Sequence, residues 1–245
     1  MLTSVRAVIR LLRVVLHLVS GLLTIWWYFP RLTLEQKEMR VQHWARGMLS
    51  RLAIDIEVRG NVPTHGPMLL VANHISWLDI LVMHSACACR FISKSDIRKW
   101  PMIGGMASAA GTLFIERASR RDAMRVVHTM AECLGESQVL AIFPEGTTGD
   151  GTHVLPFHGN LIQAAIVTQA PVQPVGLRFI DATTLQNSIA PCYIGDETLV
   201  TSLWRTASTN NLRAVVHFGT PQLPMGRERR QWAEDLRESI IALRE

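Results

Sequence analysis

The chain has no Gly-x-Ser-x-Gly elbow, which removes the usual setting of a serine nucleophile on an α/β hydrolase sheet. It has no recognition-helix pattern, zinc-finger spacing or aromatic-plus-basic ribonucleoprotein motif, so nucleic acid is not an expected partner. Its four cysteines, Cys87, Cys89, Cys133 and Cys192, fall at spacings that make no disulfide framework and point to a reducing compartment. His84, Cys87 and Cys89 could be three zinc ligands, but no partner pair with metal-site spacing follows; the alternative is small core residues leading into a strand. His153 and His158 lack a Glu-x-x partner pattern, so no metal is expected. Charged residues are only 18% of the 245 against 48% hydrophobic, a balance on the apolar side for a soluble enzyme and far too mixed for a polytopic membrane protein, which fits a membrane-surface protein. No repeat or low-complexity linker divides the chain, and its net charge of +5 suits anionic lipid headgroups or phosphorylated substrates.

The apolar residues that are present concentrate first between Val5 and Phe29. Within that run Arg6, Arg10, Arg13, His17, Ser20 and Thr24 recur in steps of 4, 3, 4, 3 and 4, a polar stripe along one helix. The helix is amphipathic and ends in Trp26, Trp27 and Tyr28, residues that favour a lipid headgroup region. Its uninterrupted apolar part, Val14 to Phe29, would rise ~24 Å against a hydrocarbon core of ~30 Å, so it lies at the interface or spans only marginally. Pro30 stops it, and no small-residue cleavage site follows. The alternative is a core helix. A second helix opens at the capping box Thr33-Leu-Glu-Gln36 and places Val41, Trp44, Ala45, Met48, Leu49 and Leu52 on one face. Residues 1–53 thus read as a membrane-associating helical hairpin, and 54–245 as the domain that follows it.

Beyond residue 53, strand-like runs alternate with helical ones, which predicts an α/β domain: a central mixed sheet flanked by helices. The strands are expected at Ile54–Arg59, Met68–Ala72, Arg90–Ile92, Thr112–Ile115, Val139–Phe143, Val172–Phe179 and Leu212–Phe218. Helical periodicity marks Ala123, Val126, Val127, Met130 and Leu134, and again Arg227 to Arg244. Three polar clusters stand directly after strand-like runs, where open α/β sheets tend to place ligands. They are Asn73-His74-Ile-Ser-Trp-Leu-Asp79, Gly111-Thr-Leu-Phe-Ile-Glu-Arg117 and Phe143-Pro-Glu145-Gly146-Thr147.

His74 and Asp79 are five apart, which on one continuous helix separates them by about 140°. The pair therefore needs a turn running into a helix. There the carboxylate can hold one imidazole nitrogen and leave the other free to take a proton. Ser76 lies inside the motif but lacks a nucleophile's context, so the simplest chemistry has His74 deprotonate a substrate hydroxyl. Arg117 could grip a phosphate through two parallel hydrogen bonds, or form a surface ion pair with Glu116 or Asp122. Glu145 with Gly146 could approach a ligand closely, or simply make a strand-to-loop turn.

The three clusters in this order resemble the glycerolipid acyltransferases, the family that includes lysophosphatidic acid acyltransferase. Val172-Gln-Pro174-Val175 is similar to that family's fourth motif, and Lys94 with Trp100-Pro101 and Gly104 to the segment after its first. The resemblance runs from about residue 50 to 220. It implies His74 as base, Asp79 as its partner, Arg117 as a phosphate ligand, and Glu145, Gly146 and Thr147 with Lys94 as substrate-binding residues. It also implies acyl-CoA or acyl carrier protein as co-substrate with no further cofactor, a lysolipid acceptor, and a place at the membrane surface, on the inner, cytoplasmic face, in phospholipid biosynthesis. The reaction expected is conversion of 1-acylglycerol-3-phosphate to phosphatidic acid. Where many such enzymes carry Arg after Glu-Gly-Thr this chain has Thr148, then Gly149-Asp150-Gly151, similar to enzymes that acylate lyso-ornithine lipid or other lysophospholipids. Asp150 could face a headgroup cation or shape a turn between glycines. A lipid hydrolase of the same shape and a noncatalytic membrane-binding module are the rival readings.

Overall fold

The computed structural model describes residues 2–115 and 120–245. In chain order its main elements are α1 (Leu2–Trp27), α2 (Leu34–Arg51), β1 (Ile54–Gly60), β2 (Met68–Ala72), α3 (Leu78–Ala86), β3 (Arg90–Lys94), α4 (Ile103–Ala109) and β4 (Leu113–Ile115). They continue with α5 (Arg120–Gly135), β5 (Val139–Ile142), α6 (Gln163–Thr168), β6 (Val172–Asp181), α7 (Leu199–Ser208), β7 (Leu212–Phe218) and α8 (Arg229–Leu243). All seven expected strands are present, with ends that move by up to two residues. Helices α4, α6 and α7 add to the sequence-based expectation.

The strands form one mixed sheet in the order β1-β7-β6-β2-β5-β3-β4. Neighbours pair in parallel throughout, except that β6 and β7 are antiparallel. Five strands, β6, β2, β5, β3 and β4, therefore point the same way. β2 lies between β6 and β5, and all five of its residues are buried. Alternate side chains of this strand go to opposite layers: Leu70 and Ala72 join the core shared with α2 and α3, while Leu69 and Val71 join the core built from α5, α6 and α8. On α8 the buried face is Trp232, Ala233, Leu236 and Ile240, the helical spacing that the sequence displays.

The capping box at Thr33 forms as expected: the Gln36 amide donates to Thr33 Oγ1 at 3.3 Å, and the Thr33 amide donates to Gln36 Oε1 at 3.0 Å. Helix α1 lies against the rest of the fold along its length. Ala7 and Val14 are part of the same core as α2 and the sheet. Two members of its polar stripe turn inward. Arg10 donates to the carbonyls of Ala207 at 2.8 Å and Thr209 at 2.6 Å, capping the free carbonyl end of α7. His17 stacks on Trp44 of α2, ring centroids 5.2 Å apart, and Trp44 Nε1 donates to the His17 carbonyl at 3.2 Å. Gly21 permits that approach, because a Cβ there would stand 2.6 Å from Trp44 Nε1. The opposite side of α1, with Val5, Val8, Ile9, Leu12, Val15, Leu16, Val19 and Leu23, is exposed.

Candidate functional site

The parallel strands β2 and β5 bring the first and third polar clusters to one edge of the sheet, because each follows the carboxyl end of its strand. Asn73 comes directly after β2. Its side chain prolongs the ladder: Nδ2 donates to the Leu177 carbonyl at 3.1 Å, and Oδ1 accepts from the Leu177 amide at 2.7 Å. The chain then turns, and α3 begins only at Leu78, so His74 and Asp79 lie on either side of a turn as their spacing required. Asp79 sits in the first turn of α3 and is fully buried. Its Oδ2 accepts from the amides of Ile75 at 2.6 Å and Ser76 at 2.8 Å, and meets His74 Nδ1 at 2.8 Å. An acceptor at Nδ1 keeps the ring proton there and leaves the Nε2 lone pair for a substrate.

The imidazole is held flat as well as aimed. It stacks on Phe143 with centroids 4.1 Å apart and planes at 7°, and Phe143 stacks on Phe91 at 5.4 Å. The His74 side chain keeps 19% exposure while Asp79 has none, so solvent or substrate reaches the base but not its partner.

Glu145 follows β5, and here the geometry departs from the headgroup-binding expectation. Its carboxylate is buried and turned into the protein. Oε1 accepts from the His74 amide at 2.6 Å and Oε2 from the Leu155 amide at 2.8 Å. Burial pushes its pKa up, and these two backbone donors pull it back. Glu145 is thus a brace between the His74 turn and the loop at 146–155. Gly146, in the left-handed region at φ 72°, and Thr147 are the exposed members of the cluster. The Gly149 amide donates to the His74 carbonyl at 2.8 Å, a second tie between the same two segments.

Asp150 makes a turn: its Oδ1 accepts from the amides of Thr152 at 2.8 Å and His153 at 3.2 Å, and the Thr152 side chain first, with these amides, lowers its pKa to about 2. Lys94 ends β3 and is exposed; it pairs in register with Ile115, so it stands beside the strand that leads to the second cluster. Arg117 lies outside the described residues.

Sequence reasoning missed a strap formed by residues 190–197. Ser76 Oγ donates to the Pro191 carbonyl at 2.5 Å, and the Tyr193 amide donates to the Ile75 carbonyl at 3.2 Å. Thr148 Oγ1 donates to the Tyr193 carbonyl, and Cys192 Sγ to the Asp150 carbonyl at 3.1 Å. Arg205 of α7 holds the strap through the carbonyls of Ala190 at 2.8 Å and Cys192, and pairs with Glu197. The strap carries no periodic apolar pattern, so only the contacts reveal it. Ser76 is consumed here, since it is fully buried and its hydroxyl also accepts from the Leu78 amide at 3.2 Å. It is not a free nucleophile.

The possible zinc trio resolves into core packing. His84 is buried edge-on to Phe91, 5.1 Å between centroids, and burial lowers its pKa to about 4. Cys87 and Cys89 are buried beside it, and all four cysteines are free. Among the described residues no three His, Cys, Asp or Glu side chains stand together as a metal set.

Residues 54–178 match the acyltransferase family. The chain is 40% identical over 185 residues to the 1-acyl-sn-glycerol-3-phosphate acyltransferase of Neisseria meningitidis, covering 75% of this chain and 72% of that protein. It is 34% identical over 197 residues to the lyso-ornithine lipid O-acyltransferase of Pseudomonas aeruginosa, covering 80% of this chain and 75% of that one. The crystal structure of the 1-acyl-sn-glycerophosphate acyltransferase from Thermotoga maritima superposes with a TM-score of 0.63 over 96% of this chain and 97% of that one; at 19% identity this likeness is one of fold. By the family match and by these relatives, the chain belongs to the acyltransferase family and is an acyltransferase enzyme.

Proposed function

We propose that this enzyme moves an acyl group from a thioester donor, acyl-CoA or acyl carrier protein, to the hydroxyl of a lysolipid, with 1-acylglycerol-3-phosphate as acceptor and phosphatidic acid as product. The observation that carries the reading is the His74 Nδ1 to Asp79 Oδ2 contact of 2.8 Å, with a half-open imidazole in front of it. His74 Nε2 takes the proton of the acceptor hydroxyl as its oxygen bonds the thioester carbonyl carbon. Collapse of the tetrahedral adduct breaks the carbon–sulfur bond, and the imidazolium returns its proton to the thiolate. No covalent enzyme intermediate is needed. Lys94, at the end of β3, and Arg117 are proposed to meet the substrate's phosphate, while Gly146 and Thr147 offer exposed backbone to it.

The acceptor assignment follows the Neisseria meningitidis relative, a 1-acyl-sn-glycerol-3-phosphate acyltransferase. One observation favours lyso-ornithine lipid instead: at Thr148 the side chain is tied to the strap, and no cation is supplied there for a phosphate monoester. The bilayer is proposed as the platform. Within Thr3–Arg31 the most apolar 18-residue stretch has a mean hydropathy of 1.9 and is 11% buried. The inner side of α1 is engaged by α2 and α7, so the exposed side is proposed to lie in the cytoplasmic leaflet with the domain on the cytoplasmic face. The test offers purified enzyme in vesicles one labelled acyl-CoA, or the same acyl group on acyl carrier protein, with lysophosphatidate, lyso-ornithine lipid and lysophosphatidylcholine separately. Turnover highest with lysophosphatidate supports the reading; preference for lyso-ornithine lipid replaces the acceptor, and acyl release without any acceptor replaces transfer by hydrolysis.

A further inference from the structure

Two arginines, one in α8 and one at its C-cap, lie outside every polar cluster of the sequence and yet hold the loop on which the His74 turn rests. They are Arg237 and Arg244, seven residues apart and so on one side of the helix. Arg237 donates to the Val154 carbonyl through Nη2 at 2.9 Å and Nε at 3.1 Å, and to the Leu155 carbonyl at 3.2 Å. Arg244 donates to the Gly151 carbonyl and, at 3.2 Å, to the Leu177 carbonyl.

Three of these four acceptors belong to residues already tied to the site. The Leu155 amide donates to Glu145, which braces the His74 amide. Gly151, at φ 77°, packs on Ile75, since a Cβ there would lie 3.3 Å from its Cγ2. The Leu177 carbonyl also accepts from Asn73, the residue before His74. Burial lowers the Arg244 pKa, an effect opposed by the nearby carboxylates Glu145, Asp150 and Asp79 and reinforced by Arg178. Asp79 Oδ1 and Gln173 Oε1 are buried side-chain oxygens that accept no hydrogen bond among the described residues. The half-buried Arg244 cation offsets part of the negative charge that Asp79 and Glu145 concentrate there.

We propose that Arg237 and Arg244 are positioning residues for acyl transfer: from α8 and its C-cap they clasp the 146–155 loop and β6 against the 73–79 turn and so fix His74. The proposal rests on the reading of His74 as the base. The two arginines differ in their charged partners: the carboxylates of Glu145, Asp150 and Asp79 act on Arg244, whereas Arg237 pairs with Glu234 on its own helix at 2.8 Å.

The test uses full-length Arg237→Gln, Arg244→Gln and their double variant, with the milder Arg237→Lys and Arg244→Lys, in vesicles with labelled acyl-CoA. Readouts are kcat, KM, the folded fraction and the pH profile of kcat/KM. Each glutamine variant should lower kcat about ten-fold per folded molecule with KM within about two-fold. The double variant should lose less than the product of the singles, because both hold one loop. Arg244→Gln should also move the acid limb of kcat/KM up, since it removes a cation from the field of Asp79, Glu145 and Asp150. Arg237→Gln should leave that limb in place, and Arg244→Lys should restore it. Unchanged kcat per folded molecule in both glutamine variants, or an acid limb that Arg244→Gln does not move, overturns the proposal. Undiminished turnover in His74→Ala would instead remove the reading beneath it.

Discussion

Helix α1 and the turn at 73–79 sort polar and apolar groups in opposite senses. On α1, Leu12, Leu16 and Leu23 stand about 60% exposed while Arg10 and His17 are drawn inward. At the turn, Asp79 and Asn73 are buried and the exposed group is an imidazole edge. Each reversal has its own physical resolution. A buried carboxylate is tolerated because amide donors and an imidazole meet its Oδ2, in a geometry the adjoining helix terminus favours. Among the described residues the exposed leucines have no such partner, and an apolar face of this length suits a lipid surface. One reversal is completed internally and serves chemistry; the other is left open and serves location.

The largest effect should come from breaking the internal one. His74→Ala removes the base but leaves the backbone bonds of residue 74 to Glu145 and Gly149 in place. Turnover should fall ~10²–10⁴-fold. The folded state loses only the stack on Phe143 and one of the Oδ2 contacts of Asp79, so the melting transition should persist. Labelled acyl transfer by protein of verified fold checks this; turnover within ten-fold of the parent enzyme sinks the base assignment.

The open reversal is tested next by Leu12, Leu16 and Leu23→Ser together. Their side chains point away from the fold, so stability in detergent should hardly change. Each leucine removed from lipid forfeits about 1–2 kcal/mol, less than full burial because each is partly covered already. Flotation with phosphatidylglycerol vesicles should show binding weakened by about 10²-fold or more. Binding at parental strength would mean that another surface carries the attachment.

Much of both regions could be read in the sequence, for different reasons. The seven strands announce themselves as short apolar runs, and Thr33-Leu-Glu-Gln36 gives the start of α2 because its capping chemistry is local. The His74–Asp79 pairing was legible because a spacing of five excludes a plain helix. Local pattern does not encode partners far along the chain. Nothing near Glu145 says that both its oxygens will be taken by the amides of His74 and Leu155, and nothing near Pro191 announces the strap. The inward turn of Arg10 likewise depends on where α7 ends. Helix α7 escaped notice because its Thr, Ser and Val residues favour helix weakly; a cap at Thr198, whose Oγ1 accepts from the Thr201 amide at 3.2 Å, supports it from outside that pattern.

His84 offers the smallest and most selective test, because it is a polar group buried by a third route. Asp79 is buried with partners, whereas His84 is buried against Phe91 and kept neutral, its pKa lowered to about 4. An unfolded histidine titrates near 6.5, so between about 6.5 and 4 the unfolded chain binds a proton that the folded chain refuses. Stability from this group is complete above the unfolded pKa and is lost as the pH falls toward the folded one. The shift of about 2.5 units corresponds to an upper figure of about 3 kcal/mol. Denaturant unfolding in detergent at pH 7, 5.5 and 4.5 should show that decline, and His84→Leu should flatten it while leaving acyl transfer at neutral pH near the parental rate. A variant with the same acid slope as the parent would place the pH sensitivity elsewhere. A variant that lost transfer without losing stability would tie His84 to the chemistry, and the division between buried groups that react and buried groups that pack would have to be redrawn.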